Sequence, residues 1–171
     1  VGACYANIED DESASAAYKR VADLFKFDQN LISDAYRRLA DMHLERGDFD
    51  ASIQAYRDAI DEVPDKIFSA KMQILIGQRY ADEGRYEDAI REWNHYINAY
   101  NDVAFRAGVD VDEAFFRLGR AYYNQGNELM KQGETEGGIS NLDLSLNTYE
   151  RLFKQFPDTD MRDRVLFYQG L

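Results

Sequence analysis

Residues 33–66 read SDAYRRLADMHLERGDFDASIQAYRDAIDEVPDK, and two interleaved stripes in that stretch decide the fold. Tyr36, Leu39, Ala40 and His43 recur at i, i+3, i+4 and i+7, which is one face of a helix. Gly47-Asp48, a turn dipeptide, stops that helix. Ile53, Tyr56, Ala59 and Ile60 then form a second stripe, which Pro64 ends. A connection this short forces the two helices to lie antiparallel.

The same slots are filled along the rest of the chain. Ile76-Gly77 and Tyr80 precede Gly84-Arg85-Tyr86, Ala89-Ile90, Trp93 and Tyr96. Phe115, Leu118-Gly119 and Tyr122 precede Tyr149, Leu152 and Pro157. Val1-Gly2 and Tyr5 precede Ala14, Tyr18 and Val21, so Val1 falls partway into a helix, and Leu166 to Leu171 resembles half of another. A unit of this size cannot bury its apolar face alone and must stack on copies of itself. Ala40, Gly77 and Gly119 sit mid-helix, where a glycine costs about 1 kcal/mol relative to alanine. Their recurrence implies close helix approach. The expected helices are 11–26, 30–46 with 49–63, 67–83 with 86–100, 111–132 with 137–155, and a last one from about 161.

Composition narrows the function. The formal net charge of −12 argues against a nucleic-acid partner, which requires a basic face. No apolar run approaches the roughly 20 residues needed to cross a bilayer, so direct membrane insertion is not expected. There is no P-loop, nucleophile elbow, paired-His zinc helix or CxxC, and neither an enzyme nor a cofactor is implied. His43 fills the slot of Tyr80 and Tyr122 and reads as packing, Trp93 reads as core, and His95 has no second ligand at helical spacing. Cys4 reads as a small apolar filler, although Val1-Gly2-Ala3-Cys4 also resembles a bacterial lipobox. The acidic clusters Glu9 to Glu12, Asp110 to Glu113 and Asp158 to Asp160 lie at helix starts, where the helix dipole favours negative charge, and lack the EF-hand pattern.

Together these slots resemble the tetratricopeptide repeat pattern, W-x2-L-G-x2-Y, then A-x3-F, then P. The resemblance covers nearly all of residues 1–171 and implies an all-α, right-handed superhelical solenoid of antiparallel helix pairs. Its repeats would fall near 1–28 (partial), 29–66, 67–103, 110–158 and 159–171 (partial), as a segment of a longer chain. The resemblance also implies a scaffold or adaptor for protein or peptide partners, within a larger complex. First helices line the groove in such proteins, and one residue past the buried stripe lie Arg37, Asp41 and Leu44, then Ile74, Gln78 and Ala81, then Phe116, Arg120 and Tyr123. Lys71 and Glu113 fall on the same rim. The carboxylate-clamp subtype that binds chaperones is not expected, because Asp41, Leu75 and Glu113 replace key groups beside Arg37 and Arg117.

Two intervals depart from the family period of about 34 residues. Gly47 to Gly84 is 37 residues, a lengthening similar to that of bacterial envelope assembly proteins of the family, as is Phe156-Pro157-Asp158-Thr159. The bacterial periplasm or envelope is therefore favoured over a cytoplasmic regulatory adaptor whose activity resides in a flanking domain. Ala40 to Pro64 is 24 residues, whereas Gly119 to Pro157 is 38. The surplus reads as about two turns on each arm of the last hairpin, since two turns need about 7 residues. Ile139, Leu142, Leu146, Tyr149, Phe153 and Phe156 would form its stripe, faced by Leu118, Tyr122, Gln125 and Leu129. Met130, Gly133, Thr135 and Gly137 would form its tip, offering a contact for a specific partner.

Overall fold

A computed structural model describes residues 11–25 and 28–169. The expectations for Val1, Gly2, Cys4, Tyr5 and Leu171 lie outside them. The described residues form α-helices and no strands: α1 Asp11–Leu24, α2 Gln29–Glu45, α3 Phe49–Glu62, α4 Lys66–Asp82, α5 Tyr86–Tyr100, α6 Ala104–Ala107, α7 Val111–Lys131, α8 Thr135–Gln155 and α9 Arg162–Gln169. The short α6 lies in the Asn101 to Asp110 interval, where the sequence carries no helical stripe. The chain divides into two compact units, Val1–Met72 and Gln73–Leu171.

Three hairpin tips share one backbone device. The amide of Gly47 donates to the Leu44 carbonyl and that of Asp48 to His43; Gly84 and Arg85 donate likewise to Ala81 and Tyr80, and Gly133 and Glu134 to Met130 and Leu129. This is the Schellman termination, which satisfies carbonyls that the helix end would leave open. It requires a left-handed residue, and Gly47, Gly84 and Gly133 hold φ of 78°, 76° and 86°. Asp48 then caps α3 by accepting the Ala51 amide at 3.0 Å, and Asp65 caps α4 by accepting that of Phe68 at 2.8 Å. Asp110 makes no such side-chain bond; Asp112 instead accepts the Thr159 hydroxyl at 2.6 Å.

In the first unit α2 packs on α1 and α3, burying Ile32, Tyr36, Leu39 and Ala40 from α2 and Ile53, Tyr56 and Ala59 from α3. The Tyr36 hydroxyl donates to Glu62 Oε2 at the base of this hairpin. Burial and that carboxylate push the phenol far above its usual range. Lys19 on α1 pairs with Asp58 on α3 at 3.2 Å.

In the second unit α7 packs against both α5 and α8. Phe115, Phe116, Tyr149, Leu152, Met161 and Val165 form a buried cluster that fastens α9 to the α7–α8 hairpin. The mid-helix glycines explain themselves here. A Cβ on Gly77 would meet Trp93 Cε2 at 2.9 Å, and one on Gly119 would meet Tyr149 Cε1 at 2.4 Å. The aromatic of the second helix therefore lies against bare backbone of the first. The Ser145 hydroxyl reinforces this seam by donating to the Gly119 carbonyl at 2.8 Å.

Beyond that contact the two hairpins of this unit differ in length. Gly77 stands 7 residues before its tip glycine and Gly119 stands 14 before Gly133; Trp93 stands 9 after Gly84 and Tyr149 stands 16 after Gly133. Each arm of α7–α8 thus continues by about two turns, or ~10 Å at 1.5 Å per residue. Its seam differs from the expected leucine stripe. Gly126, Gly138 and Leu142 close it, while Ile139 and Leu146 remain 51% and 46% exposed. Glycine on both arms lets the backbones approach, so the contact face is rotated away from Ile139 and Leu146. Thr135 and Gly137 already lie within α8, leaving Gln132, Gly133 and Glu134 as the turn.

Candidate functional site

The first unit engages or half-buries each of the residues expected there. Arg37 is exposed, but its guanidinium meets Asp34 at 2.6 Å, and Arg38 meets the same carboxylate at 2.7 Å. Hydrogen bonds from Arg38 and Arg37 hold the Asp34 carboxyl below its ordinary range. Asp41, Leu44 and Lys71 are half-buried.

The second unit carries a more developed surface, between α4, α5 and α7. Ile74 is half-buried on α4. Arg117 reaches Glu113 at 2.7 Å, donates to Gln78 Oε1, and lies with its guanidinium carbon 5.2 Å from the centre of the Trp93 ring. Gln78 also donates to Asp82 at 2.6 Å, so its side chain is committed to holding α4 against α7. Beside this network runs a narrow crevice lined by Ala81, Trp93, Arg120, Ala121 and Asn124. Arg120 is half-buried and makes no hydrogen bond or ion pair with another described residue.

Asn124 is shared with a wider open groove of about 560 Å³, lined by Tyr86, Tyr123, Asn127, Glu128, Met130 and Lys131. The extra turns of α7 form its wall, and Tyr86, just past the tip glycine of the shorter hairpin, contributes from α5. Sequence reasoning did not single out Tyr86, Asn124 or Asn127. Their available signal was spacing, since Tyr123 and Asn127 stand four apart and Met130 follows three later on one helix.

Phe116 requires a correction. It was expected on the open face, yet it is 0% exposed, packs against Tyr149 at a centroid distance of 6.2 Å, and is covered by Arg164 of α9 at 4.2 Å. The following helix occupies the face onto which Phe116 points. Met130, expected at the tip, instead lines the groove, and Gly138 lies so close that a Cβ there would meet Met130 Cγ at 2.6 Å. Of the remaining tip residues, Gly133 and Thr135 are exposed and Gly137 is half-buried.

Among the described residues, no three His, Cys, Asp or Glu side chains gather as a metal-binding group, and no helix is long and apolar enough to cross a membrane. Burial, with the Asp110 and Glu113 carboxylates, pushes the Tyr96 phenol up to about 12, and its hydroxyl donates to the Val109 carbonyl at 2.7 Å. That bond ties the α6 segment to α5.

Consecutive helix pairs with small-on-aromatic seams define a helical-repeat protein. The tetratricopeptide repeat family matches over residues 8–67 and again over 113–159, together more than half of the chain. The chain belongs to that family, whose members are protein–protein interaction scaffolds and typically non-catalytic. No curated protein matches it.

Proposed function

We propose that this chain is a non-enzymatic adaptor that holds a peptide segment of a protein partner along α7, within the unit formed by residues 73–171. The observation that carries this reading is the row of uncommitted polar side chains, Arg120, Asn124 and Asn127, set between the crevice and the wider groove. Half-buried amides and a guanidinium of this kind supply hydrogen bonds to a peptide, and flanking aromatics supply contact area. A photo-crosslinking residue placed at Asn124 should capture the partner in extracts of the native cell. The same residue at Arg91, exposed and ion-paired to Asp88 on α5, should not. Equal capture from both positions, or capture from Arg91 alone, would remove this site.

Assembly of complexes in the bacterial envelope is the cellular role we favour, supported by the 37-residue step from Gly47 to Gly84 and the phrase Phe156-Pro157-Asp158-Thr159. It requires a signal sequence or a lipidated cysteine on the intact polypeptide. Mass spectrometry of the mature N-terminus from native membranes tests that requirement, and an unprocessed cytoplasmic start would favour a regulatory adaptor instead.

A further inference from the structure

Resting on the reading of α7 as a peptide-binding face, we infer that the peptide recognised carries an acidic side chain and, three residues away, an aromatic one. The acidic half follows from Arg120. The cations beside it on α7 and the Gln78 amide on α4 are engaged: Arg117 with Glu113 and Gln78, Gln78 also with Asp82, and Lys131 with Glu128 at 3.4 Å. Arg120 alone in this row keeps a guanidinium that no described carboxylate meets. A half-buried guanidinium without an anion presents donors matched to a carboxylate, which can accept two parallel hydrogen bonds.

The aromatic half follows from the extra turns. Tyr86, Tyr123 and Met130 frame the wider groove, a setting of ring faces and thioether suited to a planar apolar side chain. The extra turns of α7, residues 123–129, supply most of this groove's lining. Between Arg120 and the groove's centre near Asn127 lie seven residues of α7, or ~10 Å. A peptide in the polyproline II conformation, with three residues per turn and a rise of ~3.1 Å, covers about that distance in three residues and brings its side chain back to the same face. Asn124, which lines both the crevice and the wider groove, stands between Arg120 and the groove's centre, where a passing peptide backbone presents its own amides and carbonyls. The crevice continues on both sides of Arg120, lined by Arg117 toward the start of α7 and by Asn124 toward its end. The carboxylate is therefore that of a side chain on a chain passing through, and not a chain terminus.

The remote acids of this protein, net −12, do not cancel the attraction, because charges beyond about 8 Å are largely screened at physiological ionic strength. Specificity is set locally, by Arg120, whose guanidinium no described carboxylate meets.

The test is a positional-scanning library of nonapeptides, acetylated and amidated so that no terminal charge contributes, applied to the 171-residue chain. We expect Asp or Glu to be selected at one position and Phe, Tyr or Trp three positions away. Arg120→Gln should weaken the best peptide about tenfold, the loss of a charge-assisted hydrogen bond. Arg120→Glu should exchange the acidic preference for Lys or Arg while keeping the aromatic one, a reversal that loss of folding cannot produce. Tyr123→Ala should do the converse, keeping the acid and losing the aromatic. Peptides that bind without an acidic preference, or an acidic preference that survives Arg120→Glu, would overturn the inference while leaving a peptide-binding face in place. If no library peptide binds and Asn124 captures no partner, both this inference and the function beneath it fail.

Discussion

Gly126 and Gly138 face one another across the α7–α8 hairpin so closely that a Cβ added to either would lie 2.9 and 3.0 Å, respectively, from the other's carbonyl oxygen. Backbone cannot step aside as a flexible side chain can, so this pair fixes the spacing of the two arms beyond the Gly119–Tyr149 contact.

Gly126→Ala should therefore destabilise the protein by roughly 1–3 kcal/mol, the usual cost of overpacking. Gly138→Ala should do the same, because its Cβ would also meet Met130 Cγ at 2.6 Å. Gly137→Ala should behave oppositely. Its Cβ would meet only Leu129 Cδ1, at an ordinary 3.5 Å, so helix propensity should raise stability by roughly 0.5–1 kcal/mol. Urea denaturation of the three variants checks the contrast, and a loss at Gly137 equal to that at Gly138 would contradict the seam.

Ser52 on α3 is 0% exposed and its hydroxyl has no hydrogen-bond partner among the described residues. It stands 5 residues after Gly47, as Ala89 stands 5 after Gly84. Ser52→Ala removes a buried unsatisfied group and should stabilise by about 1 kcal/mol. Ser145→Ala deletes the bond to the Gly119 carbonyl and should cost a similar amount. Thermal melts that move both variants in the same direction would refute the distinction.

Phe116→Ala should cost roughly 3–5 kcal/mol, as for other buried phenylalanines. Tyr123→Ala, on a half-buried groove position, should cost far less while impairing partner capture. Chemical denaturation alongside the crosslinking assay separates the two, and comparable destabilisation would mean that Tyr123 is core.

Tyr96 gives the protein an alkaline limit. A phenol ordinarily titrates near 10, whereas that of Tyr96 is pushed up to about 12 in the folded state. As pH rises past 10 the unfolded chain loses this proton first, so unfolding is favoured. The contribution is complete below pH 10 and disappears between about 10 and 12. Tyr96→Phe should lose about 1 kcal/mol at pH 7, where the Val109 carbonyl loses its donor, and should fall less steeply with pH. Unchanged slopes between pH 9 and 12 in urea titrations would rule this out.

Deleting residues 123–129 together with 139–145 restores the spacings of 7 and 9 found around Gly84. Because seven residues make about two turns, the surviving faces keep their register. The shortened chain should remain helical and cooperative by circular dichroism and lose the aromatic pocket. A collapse of the whole second unit would show that the extra turns belong to its core.

The helices were legible because each boundary carries a chemical mark. Gly47-Asp48, Gly84-Arg85, Pro64 and Pro157 place their ends within one or two residues of those observed, and α4 and α5 start or stop where the stripes do. The four-residue α6 was not legible, since it is too short to show a period. The surface was harder to read. Rotation by one residue from the buried stripe locates a face but not what covers it, so Phe116 was assigned to the open side although α9 packs over it. Gly126 repeats Gly119 seven residues later, a mark of the seam, but the leucines nearby gave the stronger apparent stripe. Asn124 and Asn127 carry no compositional signal at all; their interest lies in side chains that bond to no other described residue beside the wider groove.

The matched tip glycines have a consequence for how such a hairpin can change length. An α-helix advances about 100° per residue, so a seven-residue insertion returns a side chain to within about 20° of its former direction. An insertion of three or four misplaces it by about 60° or 40°. Because Tyr149 must still meet Gly119, both arms have to grow in step, and by a number of residues that nearly closes whole turns. Seven residues is the shortest such step within about 20°, eleven the next, and residues 123–129 with 139–145 amount to one step of seven.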